Sequence, residues 1–429
     1  MPATLDARLV GNPLLTGEVR VRFIEMGLKH LVNKAGDRRN PGSLLAALVA
    51  AAGGANGVLP SGVRVGDALA GLSNGELARA ANAHAEPYSS FMAVSAQSVN
   101  TVARRAIERA MVTHRSACPA GDVVMPSSTA QGATAAALPG ALACTGGRVA
   151  WIDAGSTQGQ VGSQADLAGF GYRVREQSAG LDLWGDTTRA LGVFLGRTQV
   201  TMDEHDFVAS RFSREGWQLG AYANWRPDSA WSLGAAAGWT HGDINAVRTI
   251  SDVGQLRGGV AQGTTRSHGQ FAGFQLQRRM PASAPVAWWA PTASVRWSSH
   301  RMAGLAESGG GDFGFRIESA ATRSLVTALG LEGGFGWFSG NSHWTLAASA
   351  RYEQDHAAQS RAAHEVTATH ALYGRFTQVG ANAGAYAAVA GLTLGMRFAP
   401  QGVFALTATQ AERQYGRDQS LRASLDWRW

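Results

Sequence analysis

The chain has 429 residues and a formal charge of +7, with 54 glycines, 13 tryptophans and only 16% charged residues. Apolar residues reach 45%, too many for a disordered chain. A mean hydropathy of −0.10, with no apolar run near the ~18 residues of a spanning helix, excludes a helical membrane protein. What remains is a soluble all-β protein or a membrane β-barrel.

The positive charge does not point to nucleic acid. Arginines are scattered along the second half, lysine occurs only at Lys29 and Lys34, and clustered Lys/Arg would be the expected footprint, so no nucleic-acid partner is expected. The opening Met1 to Val10 carries Asp6 and no apolar stretch, so no signal peptide is expected there. Leu44–Ala52 is apolar but short and reads as a helix. Residues 1–66 hold no internal repeat and no catalytic motif, and read as a stub.

Residues 67–117 read as helical. Ser73-Asn74-Gly75-Glu76 is a capping box ahead of the run Leu77 to Ala85. Pro87 suits the first position of a longer helix, whose apolar stripe includes Tyr88, Phe91, Val99, Val102, Ile107 and Met111 at spacings of three and four. Gln97, Asn100, Thr101, Arg104, Arg105, Glu108 and Arg109 occupy the other face. About 28 residues would make a helix of roughly 42 Å, long enough to cross a bilayer-height pore. An ordinary bundle helix has the same pattern. Residues 118–147 form a connecting segment flanked by Cys118 and Cys144, which suit either a disulfide in an oxidising compartment or a pair of free thiols. No metal site and no cofactor are expected, because no HxxH, CxxC or His/Cys cluster occurs.

From Arg148 the periodicity switches to two. Leu421, Ala423, Leu425, Trp427 and Trp429 alternate with Ser420, Arg422, Ser424, Asp426 and Arg428. The same pattern runs from Trp217 to Trp225, Trp231 to Trp239 and Trp344 to Tyr352, each apolar series bracketed by aromatics. Alternating segments of about ten residues between two aromatic girdles mark a transmembrane barrel. Twelve segments follow: 148–157, 175–185, 188–199, 214–226, 230–243, 266–279, 287–301, 322–337, 342–355, 385–398, 402–414 and 419–429. Short turns alternate with long polar loops at 158–174, 200–213, 244–265, 302–321 and 356–384. One residue fits poorly: Pro291 falls inside the seventh segment, where it signals either a bulge or a strand that begins later. The expected fold is an all-β, 12-stranded antiparallel transmembrane barrel over 148–429, with an N-terminal α-helix through its pore. Asp182, Glu332, Glu353 and Asp426 fall on the inward phase, where they could meet Arg104, Arg105 and Arg109 of the helix.

Together with Leu69-Ala70-Gly71-Leu72-Ser73, Ala85-Glu86-Pro87-Tyr88-Ser89-Ser90, Gly147-Arg148-Val149-Ala150-Trp151, Ser178-Ala179-Gly180-Leu181-Asp182 and Tyr415-Gly416-Arg417-Asp418, this organisation resembles the autotransporter β-domain of type V secretion. The resemblance covers roughly Gly36 to Trp429 and says nothing of the cargo. It implies an outer-membrane translocator whose partners are outer-membrane lipids, periplasmic chaperones, the β-barrel assembly machinery and its own passenger, with 1–66 as the passenger remnant. Leu425, Trp427 and Trp429 match the C-terminal signal that the assembly machinery recognises. Some members cut their passenger inside the pore through a helix asparagine. Asn100-Thr101 lies at a comparable place, although the paired asparagines are missing, and a solvated Asn on the polar helix face is the favoured reading. Loops and the N-terminal segment would face the cell surface.

Rival readings are a barrel enzyme of the protease or lipase type, a general porin, and a small displayed adhesin. His205, His241, His300 and His356 fall near outer strand ends, but no nucleophile–base spacing supports them. General porins have 16 to 18 strands, more than are counted here. The chain is expected not to be an enzyme.

Overall fold

A computed structural model describes residues 58–64, 67–68, 72–73, 76, 85–117 and 148–429, apart from 165–166, 186–187, 206–208, 229, 282–287, 341, 359–363, 371–373 and 400. Cys118, Cys144 and most of 1–66 lie outside the described residues.

One long helix, α1, runs Glu86–Ala117 over 32 residues, somewhat more than expected. Pro87 sits in its first turn, where the missing N–H costs no hydrogen bond. Upstream, the Ser73 and Glu76 side chains satisfy each other's backbone N–H groups at 3.3 and 2.8 Å, as a capping box does.

Among the described residues twelve strands make the barrel: β1 Val149–Val161, β2 Phe170–Gly185, β3 Arg189–His205, β4 Ala209–Trp225, β5 Trp231–Ile250, β6 Gly259–Arg278, β7 Trp288–Met302, β8 Ala320–Ser339, β9 Ser342–Asp355, β10 Tyr386–Arg397, β11 Gly402–Arg413 and β12 Gly416–Arg428. Each pairs antiparallel with its sequence neighbour, and β12 pairs with β1 from Val149↔Arg428 to Val161↔Gly416, so no edge is left open. The chain enters and leaves the barrel at one rim, the turn end, and the opposite rim is the loop end.

Strand alternation explains the wall. On β4, Trp217, Leu219 and Trp225 point outward while Gln218, Tyr222 and Asn224 are buried inside. A wall with apolar side chains outside and polar ones inside suits lipid around it and a polar lumen within it.

Several strands outrun their expected limits. The segments 200–213 and 244–265 are largely strand, since β3 reaches His205, β4 begins at Ala209, β5 reaches Ile250 and β6 begins at Gly259. In these extensions the polarity inverts: Val200, Met202, Phe212, Ile244 and Ala246 are buried inward and Arg211 lies outside, with Glu215 and Asp243 outside at the adjoining ends of the expected segments. An outward apolar series ends where lipid ends, so a pattern search for it stops short of the real strand. The long loops are also structured. Leu305–Ala306, Arg316–Ile317, Val366–His370 and Gly374–Gln378 form a separate four-stranded sheet over the loop end. With Tyr88, Phe91, Met92 and Val94 of α1 and the inverted strand ends, it closes an apolar core above the lumen.

Pro291 lies inside β7, which begins before it. β6 pairs with β7 as far as Gln277↔Thr292 and the short strand Met280–Pro281 pairs with Trp289 and Trp288, so Pro291 falls in the gap between the two pairings while facing Leu331 of β8 on its other side.

Candidate functional site

The lumen is threaded by α1, and three layers hold it. At the loop end Phe91 stacks on Phe212 at 5.2 Å and Tyr88 meets the same ring edge-on at 4.9 Å. The Tyr88 hydroxyl donates to Glu307 at 2.9 Å, and Arg248 grips that carboxylate through two N–H bonds of 2.7 and 2.8 Å. A fully buried ion pair with bidentate geometry locks rather than steers, because removing either partner strands a charge. His364 is half-buried in this cap, its Nδ1 2.9 Å from Thr322 Oγ1. Burial pushes its pKa down to about 4, with Asp355 only partly opposing.

In the middle, Val99, Val102, Ala103, Ala106, Ile107 and Ala110 pack on Trp151, Phe194, Tyr222, Ala236 and Phe271. Close approach requires small wall residues. A Cβ at Gly273 would lie 2.8 Å from the Ile107 terminal methyl, and one at Gly155 would lie 2.8 Å from an Arg105 guanidinium nitrogen. The helix therefore leans on one wall, β3 to β7, and leaves a cavity of about 390 Å³ against the far side, lined by Arg104, Glu108, Arg351, Arg422, Thr409 and Ser424 among others.

Toward the turn end the helix is held by charge. Arg109 donates to both Asp426 oxygens at 2.7 Å and to Asp182 at 2.8 Å, and its guanidinium lies 5.0 Å from the centre of the Trp151 ring. Tyr222 donates to Asp182 and accepts from Trp151 Nε1 at 2.6 Å, so the carboxylate is held from behind. Arg105 pairs with Glu176, and Asp153 lies 3.8 Å away. Glu108 reaches Arg422 at 3.3 Å and Arg351 at 3.6 Å, and Arg104 at 3.9 Å along the helix.

Of the four expected acidic partners, Asp182 and Asp426 meet the helix. Glu353 instead binds Arg296 and Arg351 of the wall at 3.0 and 2.6 Å, and Glu332 accepts from Gln277 at 3.2 Å. Inward phase alone did not separate them, because other barrel side chains, Arg296, Arg351 and Gln277, take up Glu353 and Glu332. Asp153 and Glu176 were missed, although both share an inward phase with named residues: Trp151 on β1 and Asp182 on β2. Glu108 was seen only as part of a polar face.

Asn100 donates to Ser324 Oγ at 2.7 Å, while the Thr101 hydroxyl donates back to the Gln97 carbonyl at 3.0 Å. Trp427 and Trp429 stand exposed at the turn end, 44% and 61%, and Leu425 is on the same outward phase. The strand-end histidines do not converge: His241 faces His268, His300 is buried in the lumen, His356 meets Thr327, and the His205 side chain lies outside the described residues.

A family model described as the autotransporter β-domain matches residues 150–409. No curated protein matches the sequence. Among solved structures the chain is similar to the translocator domain of the autotransporter NalP from Neisseria meningitidis, with 15% identity and a TM-score of 0.55 over 79% of this chain and 99% of that one. It is also similar to the β-domain of the Bordetella autotransporter BrkA, with 15% identity and a TM-score of 0.47 over 66% of this chain and 99% of that one.

Proposed function

The chain belongs to the autotransporter β-domain family, and on that premise we propose how its parts divide the work of carrying a passenger across the outer membrane. Residues 148–429 are the translocator barrel, and α1 is the stem by which the passenger stays threaded through it. Residues 1–66 are a passenger remnant, 67–117 the linker and pore helix, and 118–147 the connecting segment, whose Cys118 and Cys144 would form a disulfide in an oxidising compartment. The loop end and the N-terminal segment face the cell surface, and the turn end faces the periplasm. The β-domain is a conduit and is not itself catalytic.

The observation that carries this assignment is the pairing of Arg109 with Asp182 and Asp426, which ties a helix to both sides of the β1 seam inside a closed barrel. A chain held there has entered from one rim and points its N-terminus at the other. Leu425, Trp427 and Trp429 present the outward aromatic pattern that the β-barrel assembly machinery reads, after periplasmic chaperones have kept the strands apart.

Single-channel recording tests the stem. Arg105→Glu sets like charges beside Glu176 and Asp153, so the helix is expected to loosen and conductance to rise. An unchanged conductance would remove α1 as the plug. Intra-pore cleavage at Asn100-Thr101 is settled by the intact mass of protein from washed outer membranes. A species beginning at Thr101, abolished by Asn100→Gln, is its signature, and a full-length mass disposes of it.

A further inference from the structure

The outward face just beyond the aromatic belt carries an unusual row. Arg197, Trp217, His241, His268 and Arg301 are direct cross-strand neighbours from β3 to β7. Arg323 of β8 stands opposite Ser299, diagonal to Arg301 on the same face. On the lipid side of these positions lie Trp239, Trp297 and Leu325, all exposed. The arginines and histidines therefore sit at headgroup depth, where a girdle of aromatics marks the interface.

The carboxylates nearby are already engaged. Glu215 binds Arg197 at 2.7 Å, and Asp243 lies 4.0 Å from Arg266. Arg301 and Arg323 are exposed and have no carboxylate partner among the described residues. His241 and His268 meet Nδ1 to Nδ1 at 3.0 Å. In such a contact one ring donates and the other accepts, so the accepting ring carries its proton on Nε2 as a spare donor.

We propose that this corner of β5 to β8 is a binding site for the phosphate headgroup of a lipid in the leaflet at the loop end. The two guanidinium forks supply planar donors matched to phosphate oxygens, and the histidine pair supplies a third donor beside them. The charge fits a headgroup because a cation at this depth has anionic lipid, rather than bulk water, as its nearest counter-charge. The site rests on the outer-membrane assignment but lies outside the lumen, so its failure would leave translocation untouched.

The test is tryptophan quenching of the full chain in phosphatidylcholine vesicles, comparing brominated phosphatidic acid with brominated phosphatidylcholine. Wild type is expected to prefer the phosphomonoester lipid by about fivefold or more. Arg301→Gln with Arg323→Gln should bring the preference close to one, whereas Arg257→Gln, in the loop-end connection, should leave it intact. Arg301→Lys with Arg323→Lys should restore part of it, which separates lost binding from lost folding. Persistence of the preference against millimolar inorganic phosphate assigns the site to lipid. Its loss to inorganic phosphate, an unchanged preference in the double Gln variant, or no preference in wild type would each overturn the proposal.

Discussion

A single strand, β4, lives in two environments. From Trp217 to Trp225 its apolar side chains point outward and its inner face carries Gln218, Tyr222 and Asn224. Beyond Trp217 the arrangement reverses: Phe212 is buried inside, and Arg211 and Glu215 stand outside in ion pairs. The strand geometry is continuous across the change, with β4 paired to β5 from Trp225↔Leu233 to Ala209↔Thr249. Only the solvent differs. Around the lower part the apolar medium is lipid, so hydrophobic side chains gain by facing out. In the upper part the apolar medium is the protein's own cap over α1, so they gain by facing in. The polarity of a barrel strand thus reports which side of it is dry.

Substitutions at matched positions can break this comparison. The largest effect is expected for Phe212→Ala, which removes the ring under Tyr88 and Phe91 and should cost about 3–5 kcal/mol. Hydrogen exchange should show lost protection in the loop-end cap while the lower barrel stays protected. Leu219→Arg on the lipid face of the same strand, one outward position below the belt, should cost about 1–3 kcal/mol in a bilayer, between the interface and midplane values. Its readout is a reduced fraction of the compact, heat-modifiable form in vesicles, with little change in detergent loop-end protection.

The cap should also feel acid. His364 has its folded pKa lowered to about 4, below the ordinary 6.5, so the unfolded cap binds the proton more readily. Stability from this group is full above pH ~6.5 and is lost as pH falls toward ~4, by about 3 kcal/mol in total. Measured by exchange across that window, His364→Gln should flatten the profile. The smallest effect is expected for Ser213→Arg. This outward position lies beyond the belt, and the change should stay within about 0.5 kcal/mol. If Ser213→Arg disrupts insertion as strongly as Leu219→Arg, lipid extends higher than the polarity inversion implies.

Much of the lower barrel was legible in the chain. The series Leu421 to Trp429 and Trp231 to Trp239 repeat an outward apolar phase, and period two with aromatic ends is what a strand between lipid and a polar lumen requires. The upper extensions were not legible by the same rule. Val200, Met202 and Ile244 keep period two, but on the other phase, and a search for lipid-facing residues reads their strands as loops. The site was half legible: Asp182 and Asp426 meet Arg109, while Glu332 and Glu353 share the inward phase and meet other groups.

By itself the sequence determined the class of fold, the number of strands, the helix and the side of each strand that faces inward, because these follow from local periodicity and from the solvent each face requires. Which carboxylate an arginine of α1 would meet was decided only in three dimensions. Gly234 and Gly273 let the helix pack closely on one wall, Arg109 reaches across to Asp182 and Asp426 on either side of β1, and Glu353 is taken by Arg296 and Arg351. Inward phase is a property of one strand, whereas the distance to a helix is a property of the whole packed barrel.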